Sequence, residues 1–264
     1  MKLEKAETIL SRRIIELAKK AYHKGIRTYT DFLNLNEISI FHSMVKELPP
    51  IPYSMFGGYE EAERIIVCFH GDLNLPIKDI TGTKEAREEE FPIACLHIKP
   101  TNEKFATQLD HRDYLGSIMN VGTTRNKIGD IQVVGKNAYC YCDTTISEYI
   151  QSQLERIRHT SVIVEIAKEK PSDTKVNYKE LTGSVSSFRL DAMIALAFHS
   201  SRSSIVSLIE GEKVFVNARL VTSNSYVLKE GDVVSVRGFG KFRFVSQGNT
   251  TKKGRIYANL LLYA

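Results

Sequence analysis

No run of apolar residues in this sequence approaches the roughly 18 needed to cross a bilayer, so no membrane-spanning helix is predicted. The opening residues, MKLEKAETILSRR, alternate charged and apolar positions and lack the uninterrupted apolar core of a secretory signal. The expectation is a cytoplasmic protein with no membrane partner. Cysteine is scarce: Cys68, Cys95, Cys140 and Cys142 form no C-x-x-C pair. Neither a zinc ribbon nor a thioredoxin-like redox site is indicated, and buried free thiols are expected, with no metal and no cofactor. Internal repeats are also missing. Charge of one sign is lacking over most of the chain, because residues 1–182 hold 25 Lys/Arg against 26 Asp/Glu. The last third differs. Residues 183–264 hold 11 basic residues against 5 acidic ones, so the net charge of +5 belongs to this segment. Positive charge concentrated in a small domain points to phosphate-bearing partners.

The length of 264 residues suggests about two domains. Leu3, Ala6, Leu10, Ile14, Leu17, Ala18 and Ala21 recur at helical spacing, and Gly25 follows as a C-cap. Asn36 is a candidate cap for a second helix ending at Leu48-Pro49-Pro50. These features predict a helical N-terminal region over 1–58. The stripe on the first helix is either core or a docking surface for a protein partner. Strands are predicted at ERIIVCFHG, FPIACLHIKP, IGDIQVVG, NAYCYCD and SVIVEIA, and helices over 104–120 and 145–158. Together they read as a compact α+β domain over 59–167. The acidic run TGTKEAREEE reads as surface loop or helix end. Residues 168–182 are polar and charged, a linker or exposed edge strand.

The stretch DHRDYLGSIMN, residues 110–120, resembles the catalytic loop of a protein kinase, H-R-D-L-x-x-x-N. The match fails where the Asn should stand, which is Ile118, and no D-F-G or glycine-rich loop accompanies it. At the head of a helix, Asp113 reads as a capping or charge-balancing residue. His111 and Arg112 are then candidates for an RNA phosphate, and no residue is assigned to catalysis.

In the C-terminal third, Leu190, Met193, Ile194, Ala197 and Phe198 form an apolar helix face with Ser187 as candidate N-cap. Ser203 or Ser204 can cap a second short helix stopped by Gly211. A β-rich segment follows. Arg189 and Arg202 lie at the two helix starts, where unpaired N–H groups and a guanidinium together suit a phosphate. Lys213, Arg219, Arg237, Lys241 and Arg243 recur at strand ends, where they could line one basic surface. The RGFGKFRF segment, 237–244, echoes an RNA-recognition signature but departs from it at Lys241 and Phe242. Phe239 within it either stacks on a base or packs inside.

The segment resembles the S-four-type (αL) RNA-binding domain through Arg189-Leu190-Asp191, Ser201-Arg202, Leu208-Ile209, Gly211, Val214, Val216-Asn217 and Gly231-Asp232. It departs at Ile205, where Ala is usual, and at Ala218, where Gly normally follows the Asn. The resemblance implies an RNA-binding domain over 183–245, with 246–264 as an extension. It also implies an ion-pairing or capping Asp191, although R-L-D occurs with a catalytic Asp in pseudouridine synthases. Upstream, Gly57 to Arg64 (GGYEEAER), Leu109-x-His111-Arg112-Asp113-x-Leu115-Gly116 and Arg125-x-Lys127-Ile128-Gly129-Asp130-Ile131 are similar to motifs of the bacterial YlmH family. That resemblance implies a central RNA-recognition-like module and a non-catalytic RNA-binding protein. It implies ribosomal RNA, tRNA and the large ribosomal subunit as partners. Under this reading Arg125, Lys127 and Asn217 join the candidate RNA contacts. The competing reading is an RNA-modifying enzyme that uses the αL domain to hold its substrate.

Overall fold

The computed structural model describes residues 2–60, 62–72, 91–167 and 178–263. The chain is α+β and divides into two compact units, residues 1–175 and 176–264. The acidic run at 81–90 lies outside the described residues. Among the described residues, no single helix is long and apolar enough to cross a membrane.

The first unit opens with α1 (Lys2–Lys24), which stops at Gly25 in the left-handed region (φ +62), as the sequence predicts. Strand β1 (Thr28–Tyr29) and helix α2 (Leu35–Met44) follow. Asn34, not Asn36, caps α2. Its carboxamide accepts the N–H groups of Asn36 and Glu37, and Glu37 returns a bond to the Asn34 N–H. Strands β2 (Tyr53–Phe56) and β3 (Ile66–Phe69) complete a three-stranded sheet of order β1-β3-β2. The sequence placed β3 in the central domain; instead Cys68 pairs with both Tyr29 and Ser54. The N-terminal region is therefore α+β rather than helical. Ile14, Leu17, Ala18 and Ala21 of the predicted stripe are buried, which makes that part of it core.

The central layer holds β4 (Ile93–Pro100), α3 (His111–Asn120), β5 (Ile128–Val134), β6 (Asn137–Asp143), α4 (Thr144–Gln153), β7 (Arg156–Ile157) and β8 (Thr160–Ile166). The strand order β5-β6-β4-β8-β7 places a βαββαβ unit in one antiparallel sheet. Leu96, Ile98, Cys140, Cys142 and Val164 point to the face covered by Tyr114, Ile118 and Ile150 of the helices. Helix α3 begins at His111 rather than near residue 104, because Asp110 caps it there. Helix α4 ends at Gln153, since Arg156 and Ile157 turn back to pair with Ser161 and Thr160. All four cysteines are buried free thiols.

The second unit is one six-stranded antiparallel sheet with two helices packed on one face. Its elements are β9 (Tyr178–Val185), α5 (Leu190–Phe198), α6 (Arg202–Glu210), β10 (Val214–Val216), β11 (Arg219–Leu220), β12 (Val233–Val236), β13 (Gly240–Thr250) and β14 (Ile256–Tyr263). The order is β11-β10-β12-β13-β14-β9. Leu190, Met193, Ile194, Ile205 and Ile209 meet Val214, Val234, Phe242, Phe244 and Leu260 in its core. Of residues 168–182, read as a linker or an exposed edge strand, 178–182 belong to the edge strand β9. The expected extension after 245 forms all of β14 and the outer part of β13, and β9 pairs with β14 along eight residues. Strand β9 reads as polar because it is an edge strand packed on one side only; Leu181 and Val185 are its residues on the core.

Ser187 does not cap α5; that position belongs to Arg189, whose side chain makes no cap bond. Ser201 caps α6 by accepting the Ser204 N–H, one turn earlier than the sequence suggests. The two residues between β10 and β11, Asn217 (φ +48) and Ala218 (φ +59), both have positive φ, as a tight hairpin turn requires. Ala218 therefore stands where glycine relieves strain. Ala218→Gly should stabilise the protein by about 1 kcal/mol, read as a higher urea midpoint at unchanged slope.

Candidate nucleic-acid interface

Each short motif of the C-terminal unit resolves into a local bracket. In Arg189-Leu190-Asp191, the guanidinium Nε and Nη2 donate to the two Asp191 oxygens at 3.1 and 3.2 Å. Asp191 is buried and also accepts the Ala192 N–H. It therefore anchors the first turn of α5, and Arg189 stays 46% exposed above it. The Asn217 amide donates to Asp232 at 2.8 Å and its oxygen accepts the Val233 N–H. Asp232 in turn accepts the Lys229 N–H. Asn217 was expected to face RNA; its side chain instead ties the β10–β11 turn to the start of β12.

The basic residues divide by position. Lys213 and Arg237 are exposed and adjacent, joined through the Arg237 N–H and the Lys213 carbonyl at 2.9 Å. Lys241 lies opposite Ser235 at the same end of the sheet. The Arg237 guanidinium sits over the Phe215 ring at 5.1 Å, and Lys241 Nζ over the Tyr263 ring at 4.3 Å. These rings hold the cations on the sheet face away from the helices. Arg219 is exposed at the turn on the opposite end of β10, and Arg243, half-buried, pairs in register with Val233. The backbone of Arg202 begins α6, but its side chain lies outside the described residues.

In the first unit the sequence candidates also separate. Lys127 Nζ lies 2.8 Å from both Asp31 and Asp143. Burial alone would lower its pKa, but the two carboxylates hold it above the usual lysine value. Arg125 Nη1 donates to the Ile128 and Gly129 carbonyls at 2.6 and 3.1 Å. Both side chains, candidate RNA contacts from the sequence, are engaged by the protein's own acceptors. His111 and Arg112 remain exposed at the start of α3. Burial and the nearby Arg125 push the His111 pKa down, against smaller opposing effects of Asp130 and Asp110. This shift favours the neutral imidazole, which can offer a hydrogen bond. Asp113 is fully committed: one oxygen accepts the Asp110 N–H, and the other lies 2.6 Å from Arg158 Nε. The H-R-D triplet is a helix start, with Asp110 and Asp113 forming its capping box.

A second bracket joins the two upstream motifs. Arg64 Nε donates to the Ile128 carbonyl at 2.8 Å, and its Nη2 to the Phe32 and Arg125 carbonyls at 3.1 Å each. Burial and then Arg125 lower its pKa to about 10. Asp130 accepts the Tyr59 hydroxyl at 2.9 Å and the Glu63 N–H at 2.7 Å. Burial, followed by Asp130, keeps the Tyr59 phenol firmly protonated. Sequence reading assigned no role to Arg64, Tyr59 or Asp130. Their motif positions were visible, but nothing in the sequence says that segments some 65 residues apart meet.

Comparison with known proteins agrees with this architecture. Residues 86–170 match the family model described as "Putative RNA-binding domain in YlmH", and residues 188–234 match that of the S4 domain. The chain is 28% identical over 229 residues to the "Ribosome-associated protein quality control protein P2" of Bacillus subtilis (strain 168). That alignment spans 86% of this chain and 83% of the relative. Among solved structures, the "Cell division protein ylmH from Streptococcus pneumoniae" aligns with a TM-score of 0.49 at 17% identity, over 64% of this chain and 94% of that one. The chain thus carries a region that matches the putative RNA-binding domain of YlmH, followed by an S4 domain.

Proposed function

We propose that the protein is a non-catalytic RNA-binding protein of the ribosome, contacting ribosomal RNA and tRNA on the large subunit. The observation that carries this reading is the exposed basic end of the C-terminal sheet, where Lys213, Arg237 and Lys241 converge within an S4 domain. The similarity to a ribosome-associated quality control protein supports the setting. Arg189, Arg202, Arg219 and Arg243 extend the proposed contacts, and Arg112, with His111, offers a further one from the first unit.

Phosphate neutralisation makes binding steeply salt-dependent, each contact adding about −0.7 to −0.9 to the log–log slope. Changing Lys213, Arg237 and Lys241 together to Ala should flatten that slope by about 2. Fluorescence anisotropy against a ribosomal RNA fragment across a salt series measures it, and an unchanged slope would remove these residues from the interface. The wider reading is tested by crosslinking in cells and sequencing the attached RNA. Enrichment of ribosomal RNA and tRNA is expected; recovery no better than from uncrosslinked cells overturns it.

A further inference from the structure

We propose that Phe239 is a stacking finger for an unpaired RNA base, an assignment that rests on the RNA-binding reading above. The residue sits at the tip of the β12–β13 hairpin, in the three-residue loop Arg237-Gly238-Phe239 between the paired Val236 and Gly240. Its backbone is fixed: the Phe239 N–H donates to the Val236 carbonyl at 3.0 Å, and Gly238 (φ +83) and Gly240 (φ +126) take conformations that side chains rarely adopt. The ring is 45% exposed. It contacts Phe198 at 5.8 Å between centroids, and Phe198 is backed in turn by Phe242 at 5.9 Å.

A single exposed aromatic ring is common on protein surfaces and alone means little. Three observations separate this one. The hairpin does not need it for its core, because Phe242 and Phe244 fill that role at 0% and 1% exposure. The loop carrying it is closed by a backbone hydrogen bond and the ring rests on Phe198, which lowers the conformational entropy lost on placing the ring against a ligand. Its flanks are cationic: Arg237 precedes it, Lys241 follows two residues on, and Lys213 is bonded to the Arg237 backbone. An exposed π-face at the hairpin tip, with the exposed Lys213 and Arg237 at the same end of the sheet, matches one nucleotide of a single strand whose base meets the ring and whose phosphate meets a cation. A base within a duplex has both faces covered by its neighbours and cannot accept the ring. The occupant is therefore an unpaired nucleotide in a loop, bulge or end.

The test uses the full chain with a short labelled oligouridylate and a blunt RNA duplex of equal length. Phe239→Ala should weaken binding to the single strand by about tenfold, leave its salt slope unchanged and leave duplex binding intact. Phe239→Leu, which keeps contact with Phe198 but has no π-face, should lose as much. Phe239→Trp should restore the affinity. Thermal melts of all three variants verify folding. Wild-type affinity in both the Ala and Leu variants overturns the finger while leaving RNA binding in place, and so does an equal loss for strand and duplex. Failure of the wild-type protein to bind either RNA overturns the underlying reading instead.

Discussion

Replacing Arg64 with Ala is expected to destabilise the first unit by about 3 kcal/mol. The side chain donates to three backbone carbonyls, those of Phe32, Arg125 and Ile128, drawn from two separate segments. Ile128 would keep a partner, because Arg125 Nη1 also reaches it. The Arg125 carbonyl would keep the Ile128 N–H, so the Phe32 carbonyl is the acceptor left to lose its donor in a partly buried setting, and an unsatisfied buried acceptor costs more than a normal hydrogen bond contributes. The loss also removes the aliphatic stem that spans the gap between these segments. Arg64→Lys is the informative control, since it keeps the charge but not the planar fork that serves three acceptors at once. It should recover less than half of the loss. Urea unfolding followed by tyrosine fluorescence reads both. A cost under about 0.5 kcal/mol for the Ala variant would show that water replaces the guanidinium without penalty.

Much of the secondary structure was legible because periodicity and turn chemistry are local. The α5 face, the Gly25 stop and the β5–β6 hairpin all follow from spacing and glycine placement. The errors share one cause, which is that an edge strand or a cap is defined by its neighbours. Strand β9 has a polar sequence because β14 pairs with only one side of it. Asp110 could be recognised as the α3 cap only from its reciprocal bonds with Asp113. For the candidate site the lesson is sharper. The residues that carry the family resemblance are mostly internal fastenings: Arg189 with Asp191, Asn217 with Asp232, Asp130 with Tyr59 and Glu63 of the 57–64 loop, and Arg64 of that loop with the 125–128 carbonyls. Such pairs have fixed spacing because folding geometry demands it. RNA-facing positions need only be exposed and basic, so their spacing says little, and the motif around Phe239 left open whether its ring stacks on a base or packs inside, because its exposure depends on the hairpin. Lys127 and Arg125 show the same ambiguity, since a Lys or Arg within a motif is as readily an intramolecular donor as a phosphate contact.

Gly58→Ala should cost about 3 kcal/mol, from two separate causes. The first is backbone strain, because Gly58 has φ +101. The second is space. An added Cβ would stand 2.2 Å from Cδ1 and 2.7 Å from Cε1 of Tyr141, whose ring is fully buried. Tyr141 cannot retreat easily, because Tyr59 stacks on it at 5.1 Å and is itself tied to Asp130. The comparison that isolates the second cause is Gly135→Ala in the β5–β6 turn. Gly135 also has positive φ (+59), but an added Cβ there meets nothing within 4 Å. That variant should lose only about 1 kcal/mol. Equal losses at the two positions would show that the Tyr141 contact yields and that backbone strain alone makes Gly58 necessary. A further consequence separates local fit from the network. Gly58 and Arg64 hold the two ends of one loop, so once either is replaced, less ordered structure remains for the other to lose. The double variant Gly58→Ala/Arg64→Ala should therefore be destabilised by less than the sum of the two single changes, by about 1 kcal/mol. Strict additivity would mean that the loop's two ends are fastened independently, and that GGYEEAER acts as two anchors rather than one unit.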